Sequence, residues 1–402
     1  MEVKGKVEYN FGFFVVLVII IFYFQLFRLA VFPRELLVIS RFISIVIVVL
    51  LLILKYIYRE GEELPKNFIL PILLIIVSAF ISPIMAASYH NQPYFLSIWV
   101  SIGLFFYFFY FLLHSIRIEK RALEKIIINI GLIVIVLYYL QFSLYPTRIF
   151  SEEVRMSIDR GTLRLFLPGM NFTIIAYFFY INKFFKTNKI SFAVIAMFAF
   201  SIFILQATRQ LIASIALLTI IFIFKSKEVR SRLLIIILIG FGLGALFFSF
   251  YDLFMEMFMV TQDQVTDDED NIRIRAARYF LTDFMPNELA YIFGNADGHQ
   301  RSPYGMKLFV LSMVNRFFLS DIGIIGDYVR YGAIFLLGAI IMLVKLIKIK
   351  VDPEFEYLKY YVYLMLLTMF TGGGDFGSPN ILIILIAYLF DLGSYKLRIK
   401  SS

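Results

Sequence analysis

Cysteine is absent from this 402-residue chain, tryptophan occurs once and histidine three times. Without thiols there is no disulfide, no thiolate metal ligand and no cysteine nucleophile. Charge is scarce too: Asp, Glu, Lys and Arg make up 17% of the residues, against about 25% in a soluble domain. No P-loop occurs, and no dinucleotide-binding motif in a strand–helix setting, so nothing calls for a nucleotide fold. No internal repeat and no polar block large enough for a second, soluble domain is visible.

What fills the chain instead is hydrocarbon. Hydrophobic residues make up 61% and aromatics 18%, where soluble domains are roughly 45–50% apolar. The apolar residues fall in blocks of about 20, each long enough to cross a bilayer core of roughly 30 Å. The pattern predicts an all-α polytopic membrane protein with about 12 transmembrane helices in a single integral membrane domain, residues 1–402. Expected spans are 11–32, 36–57, 68–88, 94–114, 125–145, 166–182, 190–207, 209–225, 233–254, 320–345, 357–371 and 380–396. The first block is too long for a signal peptide core and no small-x-small cleavage site follows it, so it reads as a span. Two outer loops are large, about 146–165 and about 255–319. The second lies between spans 9 and 10, and its length calls for short helices of its own.

One charge tests this reading. Arg209 sits in Gln206-Ala-Thr-Arg209-Gln210, inside an apolar stretch from Ile190 to Lys225. A guanidinium at the bilayer midplane is expensive. As one helix, the 36 residues of that stretch would measure about 54 Å, nearly twice the membrane core. Two spans joined by a turn at 206–210 fit better, and they bring Arg209 to a membrane face.

Lysine decides which face. Seventeen of the 18 lysines lie in the tails or in loops that this topology puts on one side; only Lys307 is left for the other. By the positive-inside rule the lysine-rich side, with both termini, is cytoplasmic. Arginine does not follow lysine. Fourteen of the 20 arginines fall outside or in outer membrane halves, among them Arg28, Arg34, Arg148, Arg155, Arg160, Arg164, Arg209, Arg273, Arg275, Arg278, Arg301, Arg316 and Arg330. Arginine without lysine points to fork-like recognition of a phosphate or other planar anion; the plainer alternative is that some of these residues anchor helix ends at headgroups.

Within the second large loop, Asn271 is an acceptable N-cap for "IRIRAARYFLTDF", an amphipathic helix ending before Pro286. Its apolar stripe is Ala276, Ala277, Phe280, Leu281 and Phe284; Arg273 falls on the stripe and is expected to point inward, toward the protein or a ligand, whereas Arg275 and Arg278 lie together on the other side. The acidic run Asp267–Asp270 matches no EF-hand spacing and reads as a solvated loop, with no metal site expected. His299, in "IFGNADGH", is the one histidine beside the arginine-rich loop and a candidate general base. In "SDIGIIGDYVRYGAIF", Asp327 and Arg330 are spaced to pair, and Asp321 is the better candidate for a carboxylate base. Asp375, in "TGGGDFGSPN", reads as part of an outer turn.

These segments, in this order, resemble the O-antigen polymerase and O-antigen ligase superfamily of bacterial surface polysaccharide assembly. "RGTLRLFLPGMNFTIIAYFF" looks like the family's segment with an arginine before a Pro/Asn helix start, which is Arg164 here. "QATRQLIAS" looks like its T-x-[ST]-R-[GQ] hairpin, giving Thr208 and Arg209. "NIRIRAARYF" followed by "IFGNADGH" looks like its large periplasmic loop, and "SDIGIIGDYVRYGAIF" like its closing segment. The motifs cover about a fifth of the chain. Where many members have His-Asn this chain has Ser320-Asp321, which raises Asp321 and His299 as substitutes for the family's histidine.

The resemblance implies a cofactor-free, metal-independent, inverting glycosyltransferase in the bacterial cytoplasmic (inner) membrane, working at the periplasmic or exterior face. Its donor would be a polyprenyl-diphosphate-linked oligosaccharide repeat, and its acceptor a second lipid-linked repeat. Arg164, Arg209 and Arg273 would hold the diphosphate, with Arg275 and Arg278 supporting; Asp321 or His299 would take the acceptor proton. Arg160, Thr208, Arg330 and Tyr331 would lend further support. Membrane lipid and a chain-length regulator protein are the partners such an enzyme would have; nucleic acid is not. A ligase-type transferase shares the donor site, and a lipid-linked oligosaccharide flippase would need a comparable number of spans.

Overall fold

A computed structural model describes residues 2–57, 66–159, 162–206, 208–225, 255, 271–371, 376–377 and 380–401. The described chain is mostly helical with little sheet. Its helices are α1 (Glu2–Tyr23), α2 (Arg34–Ile57), α3 (Ile69–His90), α4 (Tyr94–Ser101), α5 (Phe109–Ile116), α6 (Lys120–Leu144), α7 (Asn171–Thr187), α8 (Ile190–Leu205) and α9 (Arg209–Lys225). They continue with α10 (Ile272–Thr282), α11 (Glu288–Phe293), α12 (Pro303–Val314), α13 (Ile324–Lys348), α14 (Leu358–Thr368) and α15 (Ile381–Ser401). The stretches Arg34–Lys55, Ile69–His90, Tyr94–Ile116, Lys120–Leu144 and Ile324–Lys348 are the five that are long and apolar enough to cross a membrane, among the described residues. This is the make-up of an all-α membrane protein. A helix coincides with each expected span that falls among the described residues; the expected span 233–254 lies outside them, as do Asp267–Asp270, Arg160 and Asp375.

The chain forms two compact units. The first comprises Met1–Ser44, Glu119–Thr266 and Glu354–Leu364. In it α6, α7 and α8 pack side by side, and Gly131 of α6 lets the α7 backbone approach so closely that a Cβ there would lie 2.7 Å from the Phe172 carbonyl oxygen. Small residues at such crossings are how membrane helices gain van der Waals contact where no hydrophobic force separates helix from lipid. Between α6 and α7 the chain makes an antiparallel hairpin, β1 (Met156–Asp159) and β2 (Thr162–Leu165), with Ser157 opposite Arg164. The first large loop thus has strands that its pattern did not announce.

The second unit comprises Ile45–Ile118, Asp267–Pro353 and Met365–Ser402. Its spine is α13 laid along α3. Near its start α13 is kinked at Gly332, which takes a positive φ of 78°. A Cβ there would lie 2.3 Å from the Ile292 carbonyl oxygen, and one on Gly294, also at φ 78°, would lie 2.3 Å from the Arg330 carbonyl oxygen. The two glycines let the end of α11 lock against the kink, where Asn295 and Ala296 donate their N–H groups to the carbonyls of Val329 and Arg330.

The long stretch before α13 is helical in three places. Asn271 caps α10 through the Arg273 N–H, Asn287 caps α11 through Ala290, and Ser302 caps α12 through Gly305 with Pro303 following; each such cap is worth about 1 kcal/mol. The inner faces of these helices share one apolar cluster, including Ala276, Phe280, Phe284, Ala290, Tyr304, Leu319 and Ile322, with Met85 and Ala86 of α3.

Candidate functional site

Helix α8 ends at Leu205 and α9 begins at Arg209, the break that the length argument requires. What the sequence did not show is how this turn is held. Gln206 is buried, and its side-chain amide donates to the Leu165 carbonyl at 2.8 Å. In return the Arg164 Nε donates to the Gln206 carbonyl at 2.8 Å. Strand β2 and the turn are therefore clasped twice, and Arg164 stands at the turn that opens into Arg209. The Thr208 hydroxyl donates to the Gln206 carbonyl at 3.3 Å, stiffening the same turn. The Arg164 guanidinium lies over the Phe166 ring at 5.2 Å and that of Arg155 over the same ring at 5.4 Å, so two cations share one aromatic platform. Helix α9 begins at Arg209, so the positive end of its dipole lies at the same turn. Guanidinium groups and a helix N-terminus are the groups from which anion sites are built.

Two other arginines of this unit are ion-paired. Arg34 Nε bonds the Glu153 carboxylate at 2.9 Å. Arg28 donates to the Glu153 carbonyl at 3.2 Å and lies 3.9 Å from its carboxylate. These two tie the segment after α1 to the segment before the hairpin. Their role among the described contacts is structural.

In the second unit Arg273 departs from expectation. It is exposed rather than packed against the protein. The buried stripe of α10 begins at Ala276 and continues through Phe280. Arg273 lies in the first turn, and helical side chains tilt toward the N-terminus, so it projects off the end of the packed face. Arg275 and Arg278 are also exposed, with Arg275 over the Phe317 ring at 6.0 Å. Asp321, in the short 3-10 segment Leu319–Ile322, is exposed and accepts a bond from the Ser320 hydroxyl at 3.2 Å. Since Leu319 and Ile322 share the apolar cluster of Ala276 and Phe280, the structure brings the α10 arginines and Asp321 onto the surface of one packing unit.

His299 is half-buried, and its Nδ1 accepts the backbone N–H of Arg301 at 3.1 Å. That bond places the ring proton of the neutral form on Nε2 and occupies the lone pair a base would use. Asp321 is on geometry the better acceptor of a proton. Arg330 pairs with Asp327 at 3.5 Å, as its spacing predicted, and also reaches the Asp297 carboxylate at 3.6 Å. Asp327 is fully buried and accepts the N–H groups of Phe376 and Gly377 at 2.9 and 2.8 Å. Tyr331 is buried in the core beside Phe335, their ring centroids 5.1 Å apart. Arg330 and Tyr331 thus build the frame.

Sequence reasoning passed over Asp297 and Gln92. The Gln92 side chain donates to Ser97 and to the Asp297 carbonyl, and accepts from the His299 N–H and the Ser302 hydroxyl. It fixes the 295–302 segment onto the end of α3. Its signal was weak: a single glutamine in a short loop whose partners lie about 200 residues away. Among the described residues no cluster of His, Asp or Glu is arranged to hold a metal ion. Compared with family models, with curated proteins and with solved structures, the chain matches none.

Proposed function

We propose that the chain is a polymerase of lipid-linked oligosaccharide repeats: an inverting glycosyltransferase with 12 spans and both termini cytoplasmic, in the inner membrane of a bacterium. The observation that carries this reading is the clasp of Arg164 onto the turn at Gln206, which presents an arginine-rich, N-terminal helix corner where a diphosphate could sit. The donor sugar arrives already activated on a polyprenyl diphosphate. An acceptor hydroxyl attacks its anomeric carbon, the glycosidic bond forms, and the bond to the diphosphate oxygen breaks with inversion. The electron pair leaves on the diphosphate, whose growing charge Arg164 and Arg209 stabilise; each such donor aimed at developing charge is worth about 10²–10³ in rate. The hydroxyl proton goes to Asp321, with His299 the second candidate. Arg273, Arg275 and Arg278 are exposed cations suited to the phosphates of a lipid-linked substrate, and Arg160 supports them.

The test is turnover. Purified protein receives lipid-diphosphate-linked repeats from its own host, with EDTA present, and products are separated on a gel. Wild type should give a ladder of lipid-linked polymer, and Arg209→Lys should lose it, because an ammonium cannot replace a two-pronged guanidinium. Transbilayer movement of the same lipid in liposomes without any ladder would replace this reading with a flippase.

A further inference from the structure

Helix α12 is apolar on two opposite faces. Its inner face, Tyr304, Leu308 and Leu311, packs on the cluster that contains Met85, Ala86 and Phe284. Its outer face carries Met306, Phe309, Val310, Met313 and Val314, between 49% and 74% exposed. At 100° per residue these five side chains fall within one arc of about 140°, and Lys307 and Ser312 separate it from the inner face. A helix that merely roofs a soluble loop turns polar residues to water. A contiguous apolar face of this kind marks contact with a protein or a membrane.

The place of α12 chooses between them. The His90 ring, on the last residue of α3, stacks on Tyr304 at 4.3 Å with 14° between the planes. Two residues on, Gln92 accepts a bond from the hydroxyl of Ser302, the cap of α12. With 22 residues, α3 is about 33 Å long, which matches a hydrocarbon core of roughly 30 Å. The start of α12 is therefore fastened to the point where α3 leaves the bilayer. Its own 12 residues reach about 18 Å, too short to cross. The charges fit the same place. Arg301 before the helix, Lys307 on its flank and Arg316 after it are exposed, and Lys307 also lies over the Phe284 ring at 4.8 Å. Cations beside an apolar face are the combination that holds a helix at anionic phospholipid headgroups.

We infer that α12 is an interfacial helix that lies in the leaflet at the α3 exit, with its outer face among the upper acyl chains and Arg301, Lys307 and Arg316 at lipid phosphates. It anchors the 271–322 segment to the membrane surface. The inference does not depend on the transferase reading.

The test uses the full chain in nanodiscs. The native tryptophan is removed by Trp99→Phe, and one tryptophan is returned by Phe309→Trp, by Met313→Trp or by Leu308→Trp. The discs carry phosphatidylglycerol or phosphatidylcholine brominated either near the headgroup or near the chain end. Phe309→Trp and Met313→Trp should lose emission to bromine, more to the shallow bromine than to the deep one, and more to brominated phosphatidylglycerol than to brominated phosphatidylcholine. Leu308→Trp should keep its emission. Emission unchanged by bromine at both outer positions would overturn the proposal, because protein, a second copy of the chain or water would then cover that face. Strongest loss to the deep bromine would also overturn it, as would equal loss at Leu308→Trp.

Discussion

Arg164→Lys should lower the polymerisation rate about 100-fold or more while the protein keeps its elution profile. The native guanidinium does several things at once. Its Nε holds the Gln206 carbonyl at 2.8 Å, and its plane lies over the Phe166 ring at 5.2 Å. A lysine ammonium is a point charge with no planar fork. It can reach the carbonyl or an anion, and it cannot hold a fixed geometry between the two. Under the proposed chemistry this loss belongs to kcat, because the arginine is matched to charge that develops as the diphosphate leaves. A rise in KM with kcat unchanged would show that Arg164 merely binds ground-state lipid. Full activity in Arg164→Lys would remove the residue from the site.

The second large effect is on stability. Asp327→Ala should destabilise the protein by about 3–5 kcal/mol, the usual result of removing one partner of a buried ion pair. Asp327 is fully buried. Its carboxylate receives the N–H groups of Phe376 and Gly377 and pairs with Arg330. Alanine would remove the carboxylate that accepts those two N–H groups and one of the two carboxylates beside the Arg330 guanidinium. Asp327→Asn keeps an oxygen for the N–H groups and loses the charge, so it should fall between wild type and alanine. Thermal unfolding in detergent, followed by circular dichroism, reads all three. An alanine variant as stable as wild type would contradict the assignment of Asp327 as the tie between α13 and the 376–377 segment.

The helices were legible because bilayer thickness imposes a length on apolar runs, and that length alone required a break near Arg209. The Asn271 cap and the Asp327–Arg330 pair were legible because both depend on spacing within one helix. The β1–β2 hairpin was not: its strands have four residues each, too few for alternation to stand out. Arg273 was not legible because an idealised stripe treats all turns alike, whereas the buried positions of α10 begin only at Ala276. The clasp between Gln206, Arg164 and Leu165 joins residues about 40 apart, and the Gln92 network joins residues about 200 apart. Such pairings are set by tertiary packing, and no local pattern reports them. The outer face of α12 was hidden in another way, since a short apolar helix reads the same in a core as at a membrane surface.

The central claim is that this protein breaks the bond between a sugar and a lipid diphosphate. The most direct measurement is the release of polyprenyl diphosphate from donor labelled in its lipid, counted against glycosidic linkages formed. The account predicts one lipid diphosphate freed for each linkage, with both lost together in Arg209→Lys. Donor recovered intact from the opposite leaflet, with no free diphosphate, would contradict it.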